Sequence, residues 1–273
     1  MERTHMPHTK FDLCSDLHLG FLAYMPKKDE ITPEIYIQQL FKPTESETLL
    51  VAGDIQEDLA LERPWAKLFF ETAAQHYKNI VCVLGNHDFW SNTVLFPDVI
   101  DLVKERYPSV TFLENEQTEI DGVRIFGATF WSPIRPESEV PVIQTINDFW
   151  NVKTAKDQSL IPAFINEKNK ESVAKLKKFL TDSPANAKNL VLTHHAPSSI
   201  CNTRYPHSAI EDAFCNHLDD FIFDSPINVW CYGHIHEEAD LLIGKTRIVA
   251  NPHGNLFHGL AYPNHYGFKT IEL

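Results

Sequence analysis

A chain of 273 residues is long enough for one large domain or two small ones, and 43% hydrophobic with 22% charged residues is ordinary globular composition. Lys and Arg number 24 against 37 Asp and Glu, a formal net charge of −13. That field repels polyanions and argues against broad binding to nucleic acid or acidic membranes, while leaving room for a small phosphorylated ligand held beside bound cations.

In chain order, residues 1–8 are polar and read as neither a signal peptide nor an anchor. Phe11–Ser15 is an apolar strand that runs into Asp16-Leu17-His18. Thr32-Pro33-Glu34 offers an N-cap, a proline at the first helical position and a first-turn acid, which predicts a short helix to about Phe41, although Ile35-Tyr36-Ile37 also suits a strand. Thr48–Ala52 is a second strand, ending in Gly53-Asp54. Pro64 opens a helix ending near Tyr77, with Trp65, Leu68, Phe69 and Thr72 at helical spacing. Ile80–Leu84 is a third strand, which breaks off into Gly85-Asn86-His87-Asp88. A helix from Pro97 carries Val99, Leu102 and Val103 and stops at Pro108. Val110–Leu113 is a short strand, and Thr118–Ile120 with Val123–Phe126 flank Asp121-Gly122, the signal of a type I′ hairpin.

From Trp131 to about Asn169 the pattern loses its period. Prolines 133, 136, 141 and 162 interrupt it, and Trp131, Phe149, Trp150 and Phe164 give it an aromatic character suited to an ordered flap over the sheet edge. Beyond it come a helix at Lys170–Leu180, a strand at Leu190–Thr193 followed by His194-His195, a helix at Ala209–Phe221, and a strand at Ile227–Tyr232 followed by Gly233-His234-Ile235-His236. A hairpin of Asp240–Ile243 and Thr246–Ala250 closes the sequence. Alternating strands and helices with no linker or repeat predict one layered α/β domain over 1–273, with the flap as its insertion. No stretch approaches the roughly 18 apolar residues that span a bilayer. Five cysteines lack CxxC spacing, and Cys14, Cys82 and Cys231 fall inside strand runs, which predicts reduced core thiols and a cytoplasmic setting.

The five strand ends are where chemistry concentrates. Each delivers Asp, Asn or His, and the carboxyl edge of an open α/β sheet is where ligands bind. Asp16, His18, Asp54, Asn86, His194, His234 and His236 supply carboxylate, amide and imidazole donors and no thiolate, a set suited to divalent Mn, Fe, Co, Ni or Zn. Seven donors exceed the needs of one ion, and a carboxylate can bridge two. Residues two apart in extended chain point the same way, so Asp16/His18 and His234/His236 are each expected to face one cavity.

In order and combination these motifs resemble those of the calcineurin-like metallophosphoesterases, over residues 16 to 236. The resemblance implies a four-layer α/β/β/α sandwich with mixed sheets and a dinuclear centre at the strand carboxyl ends. It implies that Asp16, His18, Asp54 and His236 hold one metal, and that Asp54, as bridge, with Asn86, His194 and His234 holds the other. Of the adjacent His194 and His195, the one at the strand end is favoured as ligand. It further implies hydrolysis of a phosphate mono- or diester by in-line attack of a hydroxide held between the metals, with His87 protonating the leaving oxygen and Asp88 orienting its ring. Glu57 and Asp58 match the second acid of some members only loosely and receive no role.

Outside the motifs, Arg204 suits a phosphate, His207 a hydrogen bond to substrate, and His253, in Asn251-Pro252-His253-Gly254, an approach to the metals. A solvated loop explains the first two as simply. The expected substrate is a small, nucleotide-like phosphate ester whose base stacks on flap aromatics. A phosphoprotein phosphatase or a nuclease of the same family is the alternative, the nuclease being disfavoured by charge. A non-catalytic scaffold is disfavoured by the complete ligand set.

Overall fold

The computed structural model describes residues 9–24, 31–61, 63–91, 93–254 and 266–273, and the polar segment 1–8 lies outside them. The first part of the chain alternates strand and helix as β1 (Lys10–Cys14), α1 (Pro33–Leu40), β2 (Thr48–Ala52), α2 (Pro64–His76), β3 (Asn79–Val83), α3 (Phe96–Arg106) and β4 (Thr111–Phe112). A proline sits in the first turn of each helix, where its missing N–H costs nothing. The Thr32 hydroxyl also accepts from the Ile35 amide, so Ile35–Ile37 is helical rather than extended. β5 (Glu116–Ile120) and β6 (Val123–Ala128) are joined by Asp121 and Gly122 at φ 51° and 76°, both positive as the type I′ turn requires.

The aperiodic segment is ordered. It contains α4 (Glu139–Thr145), α5 (Asp148–Asn151), a small hairpin of β7 (Lys153–Ala155) and β8 (Gln158–Ser159), and the start of α6 (Pro162–Thr181). The sixth helix therefore begins at Pro162 and not at Lys170, because proline opens it and Ile165 and Asn169 bury its first turns. β9 (Lys188–Thr193) follows. The helix expected at Ala209–Phe221 does not form. A single turn at Glu211–Ala213 is followed by α7 (Asp219–Asp224), because the backbone between them pairs with Ala196, which accepts from the Asn216 amide at 2.8 Å. β10 (Val229–Tyr232), β11 (Ala239–Ile243), β12 (Thr246–Ala250) and β13 (Lys269–Glu272) complete the chain.

Strands order as β13-β1-β2-β3-β4 in one sheet and β11-β12-β10-β9-β6-β5 in the other. Both are parallel at their centres; the first carries an antiparallel strand at its β13 edge and the second at both edges. Strands buried on both faces read as unbroken apolar runs, and alternate residues fill different layers. Phe11, Leu13, Leu50, Val81 and Val83 meet Ile125, Leu190, Leu192, Cys231 and Val249 between the sheets. Leu49, Val51, Ile80 and Cys82 point outward under Ile37 of α1, Phe69 of α2 and Val99 of α3. On the far side Val191, Trp230, Tyr232 and Ile248 pack under Leu176 and Phe179 of α6 and Ile222 of α7. The result is the four-layer α/β/β/α sandwich, with all five cysteines free and buried.

Candidate metal centre

Strands β1, β2, β3, β9 and β10 release their chains at one edge of the sandwich, and the seven donors leave from those ends. The donors are not on extended segments, which corrects the reading of the Asp-x-His and His-x-His pairs. Asp16, His18, Asp54, His234 and His236 have φ of 54°, 47°, 53°, 71° and 59°. Asp and His enter this left-handed region more readily than bulkier residues, and surrounding bonds must hold them there. Those bonds are present: the amides of Asp16 and His18 donate to the Gly53 and Asp54 carbonyls at 3.0 Å each, and the His234 amide donates to Asp16 Oδ1 at 2.9 Å. Gly53, at φ 84°, lets β2 and β3 end in contact, since a Cβ there would lie 2.7 Å from the Gly85 nitrogen.

Two clusters share Asp54. Donor atoms of Asp16, His18, Asp54 and His236 lie within 4.8 Å of one another, and so do those of Asp54, His194 and His234. In the first, His236 Nε2 is 3.2 Å from Asp16 Oδ1 and 3.1 Å from His18 Nε2, which is 3.5 Å from Asp54 Oδ2. In the second, His194 Nε2 is 2.9 Å from Asn86 Oδ1 and 3.4 Å from Asp54 Oδ1. Hydrogen bonds at the far ring nitrogens set the tautomers. His18 Nδ1 donates to Glu57 Oε1 at 2.7 Å, His194 Nδ1 to the Ala52 carbonyl at 2.8 Å, and His234 Nε2 to the Ala213 carbonyl at 3.1 Å. Each ring is left with its other nitrogen turned to the cluster.

The donors fit divalent cations. Asp54 Oδ2 is buried with no hydrogen-bond partner among the described residues, although a buried carboxylate oxygen normally has one. Burial opposes charge on His18, yet the Glu57 hydrogen bond and the carboxylates of Asp54 and Asp16 push its pKa up to about 9. Burial likewise opposes charge on His194, and Asp54 and Asp16 overcome it, again to about 9. On Asp16, burial is outweighed by His236 and His194, which pull the carboxyl down to about 2. Protons on imidazoles thus balance these carboxylates here, supplying the positive charge a bound cation would bring.

Glu57, which the motif pattern leaves without a role, buttresses the site: its carboxylate meets His18 and also lies 3.4 Å from His87 Nδ1. The legible signal was its place three residues beyond Asp54 on the same loop. Asp88 corrects the opposite way. Its carboxylate does not orient the His87 ring but accepts from the backbone amides of Asp54, Ile55, Gln56 and Gly85 at 2.7–3.1 Å, tying the ends of β2 and β3 together. Stranding those buried donors costs about 1–3 kcal/mol each. Asp88→Ala is therefore expected to lower the unfolding free energy by at least about 3 kcal/mol in urea titration, and Asp88→Asn by less. An Asp88→Ala protein as stable as the parent would contradict the brace.

His87 lies face to face with Trp90, ring centroids 3.6 Å apart. His195 is in neither donor cluster: its Nδ1 is 3.0 Å from the Ser132 hydroxyl and its ring lies against that of His234, so His194 is the histidine beside Asn86. Over the clusters opens a cleft of about 320 Å³ walled by Phe21, Trp90, Asn147, Arg204, Tyr205 and Phe214. Two of the residues proposed to meet substrate are not in it. His207 is exposed, with its backbone amide donating to Glu211, and His253 is buried with Nε2 on the Tyr36 hydroxyl at 2.7 Å and Nδ1 on the Gly254 carbonyl at 3.1 Å. The Asn251–Gly254 turn instead supports the β1 loop, donating from the His253 and Gly254 amides to the Ser15 and Asp16 carbonyls. Flap aromatics do not line the cleft either: Trp131 and Phe149 are buried in the core as anchors, Phe164 packs against it, and Trp150 is exposed outside the cleft.

A family model for calcineurin-like phosphoesterases matches residues 9–238, and the chain belongs to that family. Uncharacterized protein L509 of Acanthamoeba polyphaga mimivirus is 26% identical over 268 residues, 91% of this chain and 94% of the viral protein. Among solved structures, phosphopantetheinyl hydrolase from Mycobacterium tuberculosis superposes with a TM-score of 0.66 at 16% identity, covering 97% of this chain and 96% of that one. The two share a fold.

Proposed function

We propose that the chain is a metal-dependent phosphohydrolase acting on a small phosphate mono- or diester in this cleft. The observation that carries the reading is Asp54, whose two oxygens face different donor clusters. Asp16, His18, Asp54 and His236 would hold one ion and Asp54, Asn86, His194 and His234 a second, with Mn, Fe, Zn, Co or Ni all compatible with these donors. When bound, the cations supply Lewis-acid activation of the phosphoryl group and of the attacking water.

The chain's own residues do the rest. His87, partly exposed in the cleft and braced by Glu57 and Trp90, donates the proton that the leaving oxygen needs. Arg204, at the cleft wall beside Tyr205, grips a phosphoryl or neighbouring anionic oxygen. Phe21 and Tyr205 supply aromatic surface for the organic part, such as a nucleotide base, with Phe214 stacked between Tyr205 and His234 behind them. The volume lies at the lower end of the roughly 300–1,000 Å³ of small-molecule sites, which favours a small ester over a phosphoprotein. The charge of −13 weighs against a nuclease. No described helix is long and apolar enough to cross a membrane, and five free cysteines suit a reducing, cytoplasmic setting.

Hydrolysis of p-nitrophenyl phosphate and of bis(p-nitrophenyl) phosphate, with Mn²⁺ supplied and then removed by EDTA, tests the proposal. Chelator-sensitive turnover of either compound is expected, and their ratio assigns mono- or diester preference. Nucleotides and phosphopantetheinyl compounds belong in the panel that follows. A protein that binds Mn²⁺ yet hydrolyses neither compound would be a scaffold.

A further inference from the structure

Asn86 poses a problem that its own strand does not solve. An amide offers oxygen on one side and NH₂ on the other, and a 180° flip would present hydrogens where His194 and Asp54 gather a cation. The answer comes from the flap. Asp148, 4% exposed at the start of α5, accepts from Asn86 Nδ2 at 2.8 Å and from Trp90 Nε1 at 2.6 Å, both through Oδ1. A carboxylate can only accept, so it fixes the NH₂ outward and leaves Asn86 Oδ1 facing His194 Nε2 at 2.9 Å. The same oxygen holds the Trp90 indole on which the His87 ring stacks. α5 is tied down independently: the Ser91 amide donates to the Asn151 carbonyl at 3.0 Å, and Phe149 is buried in the core.

We infer that Asp148 is a positioning residue that sets the polarity of the Asn86 amide for the second cation site and steadies the Trp90–His87 stack, so that seating of the flap and competence of that site are one event. This rests on the proposed metal centre. Asp148 is not itself one of the donors, and its hydrogen bonds run to Asn86 and Trp90. Loss of the acceptor frees the amide to flip and weakens the second site while sparing the first, which contains none of these residues.

The test is titration of the metal-free full-length protein with Mn²⁺ alone, followed by calorimetry and by Mn²⁺ EPR, in wild type, Asp148→Ala and Asp148→Asn. Wild type should bind two ions. Asp148→Ala should bind the first with unchanged affinity and the second about 10–100-fold more weakly, the range typical of partners that orient ligands. Asp148→Asn keeps an acceptor oxygen and should stay within about threefold of wild type. In ¹H–¹⁵N spectra the Trp90 indole resonance, assigned by its absence in Trp90→Phe, should move in Asp148→Ala and hold in Asp148→Asn.

Equal weakening of both sites, or unchanged affinity with only a lower Tm, would overturn the inference and leave the metal centre intact. Tenfold or greater loss in Asp148→Asn would overturn it too, even if Asp148→Ala fails to fold, because charge rather than amide polarity would then be what Asp148 supplies. Wild-type protein that binds no Mn²⁺ would overturn the metal centre itself and this inference with it.

Discussion

Asp54→Asn is expected to weaken both cation sites, emptying at least one of them, and to reduce hydrolysis by well beyond the roughly 10–100-fold that follows loss of an orienting partner. One carboxylate serves both clusters, Oδ1 beside His194 and Oδ2 beside His18, and an asparagine at that position can offer oxygen to only one of them. It also removes the negative charge around which His18 and His194 assemble. The substitution is isosteric, and the backbone there is secured elsewhere, by the Asp54 amide on Asp88 and the His18 amide on the Asp54 carbonyl, so the fold should persist. The substituted side chain keeps one oxygen able to accept from the His87 amide, as Asp54 Oδ1 does at 2.9 Å. Metal content of the purified variant by elemental analysis, with turnover on the better p-nitrophenyl ester, decides the matter. Asp16→Asn is the control, because Asp16 belongs to the first cluster only and should spare the second ion. An Asp54→Asn protein that keeps two ions would mean that the shared carboxylate does not bridge.

What a linear reading can recover here follows from which interactions are local. Strands buried on both faces announce themselves as apolar runs, so β1, β2, β3, β9 and β10 were legible, and with them the five chain ends at one edge. Asp121-Gly122 was legible because two positive φ angles in succession need that chemistry. By contrast β13 exists because β1 offers it an edge to pair with, and its Lys269-Thr270-Ile271-Glu272 has little apolar signal of its own. The false helix at Ala209–Phe221 failed for the same kind of reason, a remote backbone claiming its amides.

At the site the residue types could be read but not their directions. His87, Asp88 and Phe89 form a single 3₁₀ turn, in which neighbouring side chains diverge. The carboxylate next to His87 in sequence therefore points under the loop, and the one that reaches its ring, Glu57, arrives from another strand end. The flap's aromatics were similarly ambiguous. Trp131 and Phe149 have the composition of a stacking surface, but aromatic residues that pin an insertion to its core look the same in one dimension.

His87→Ala carries the second large effect, and it separates chemistry from metal binding. The ring is absent from both clusters that share Asp54. Its ring meets Trp90 on one face, Glu57 at Nδ1 and the His18 ring edge to face at 4.6 Å, and it is partly exposed to the cleft. Removal should leave both ions and most of the stability in place while turnover falls by about 10²–10⁴-fold, the usual worth of a positioned proton donor. Glu57→Gln is different in kind, since Glu57 also holds His18 Nδ1 at 2.7 Å, and it should weaken metal retention and turnover together. The leaving group supplies the sharper test. A p-nitrophenolate departs with little need of a proton, whereas an alkoxide does not, so His87→Ala should be far more damaging toward an alkyl phosphate ester than toward the nitrophenyl compound. Equal losses on the two esters, with ions retained, would assign His87 to binding of the phosphoryl oxygens and take the proton donor's role from it.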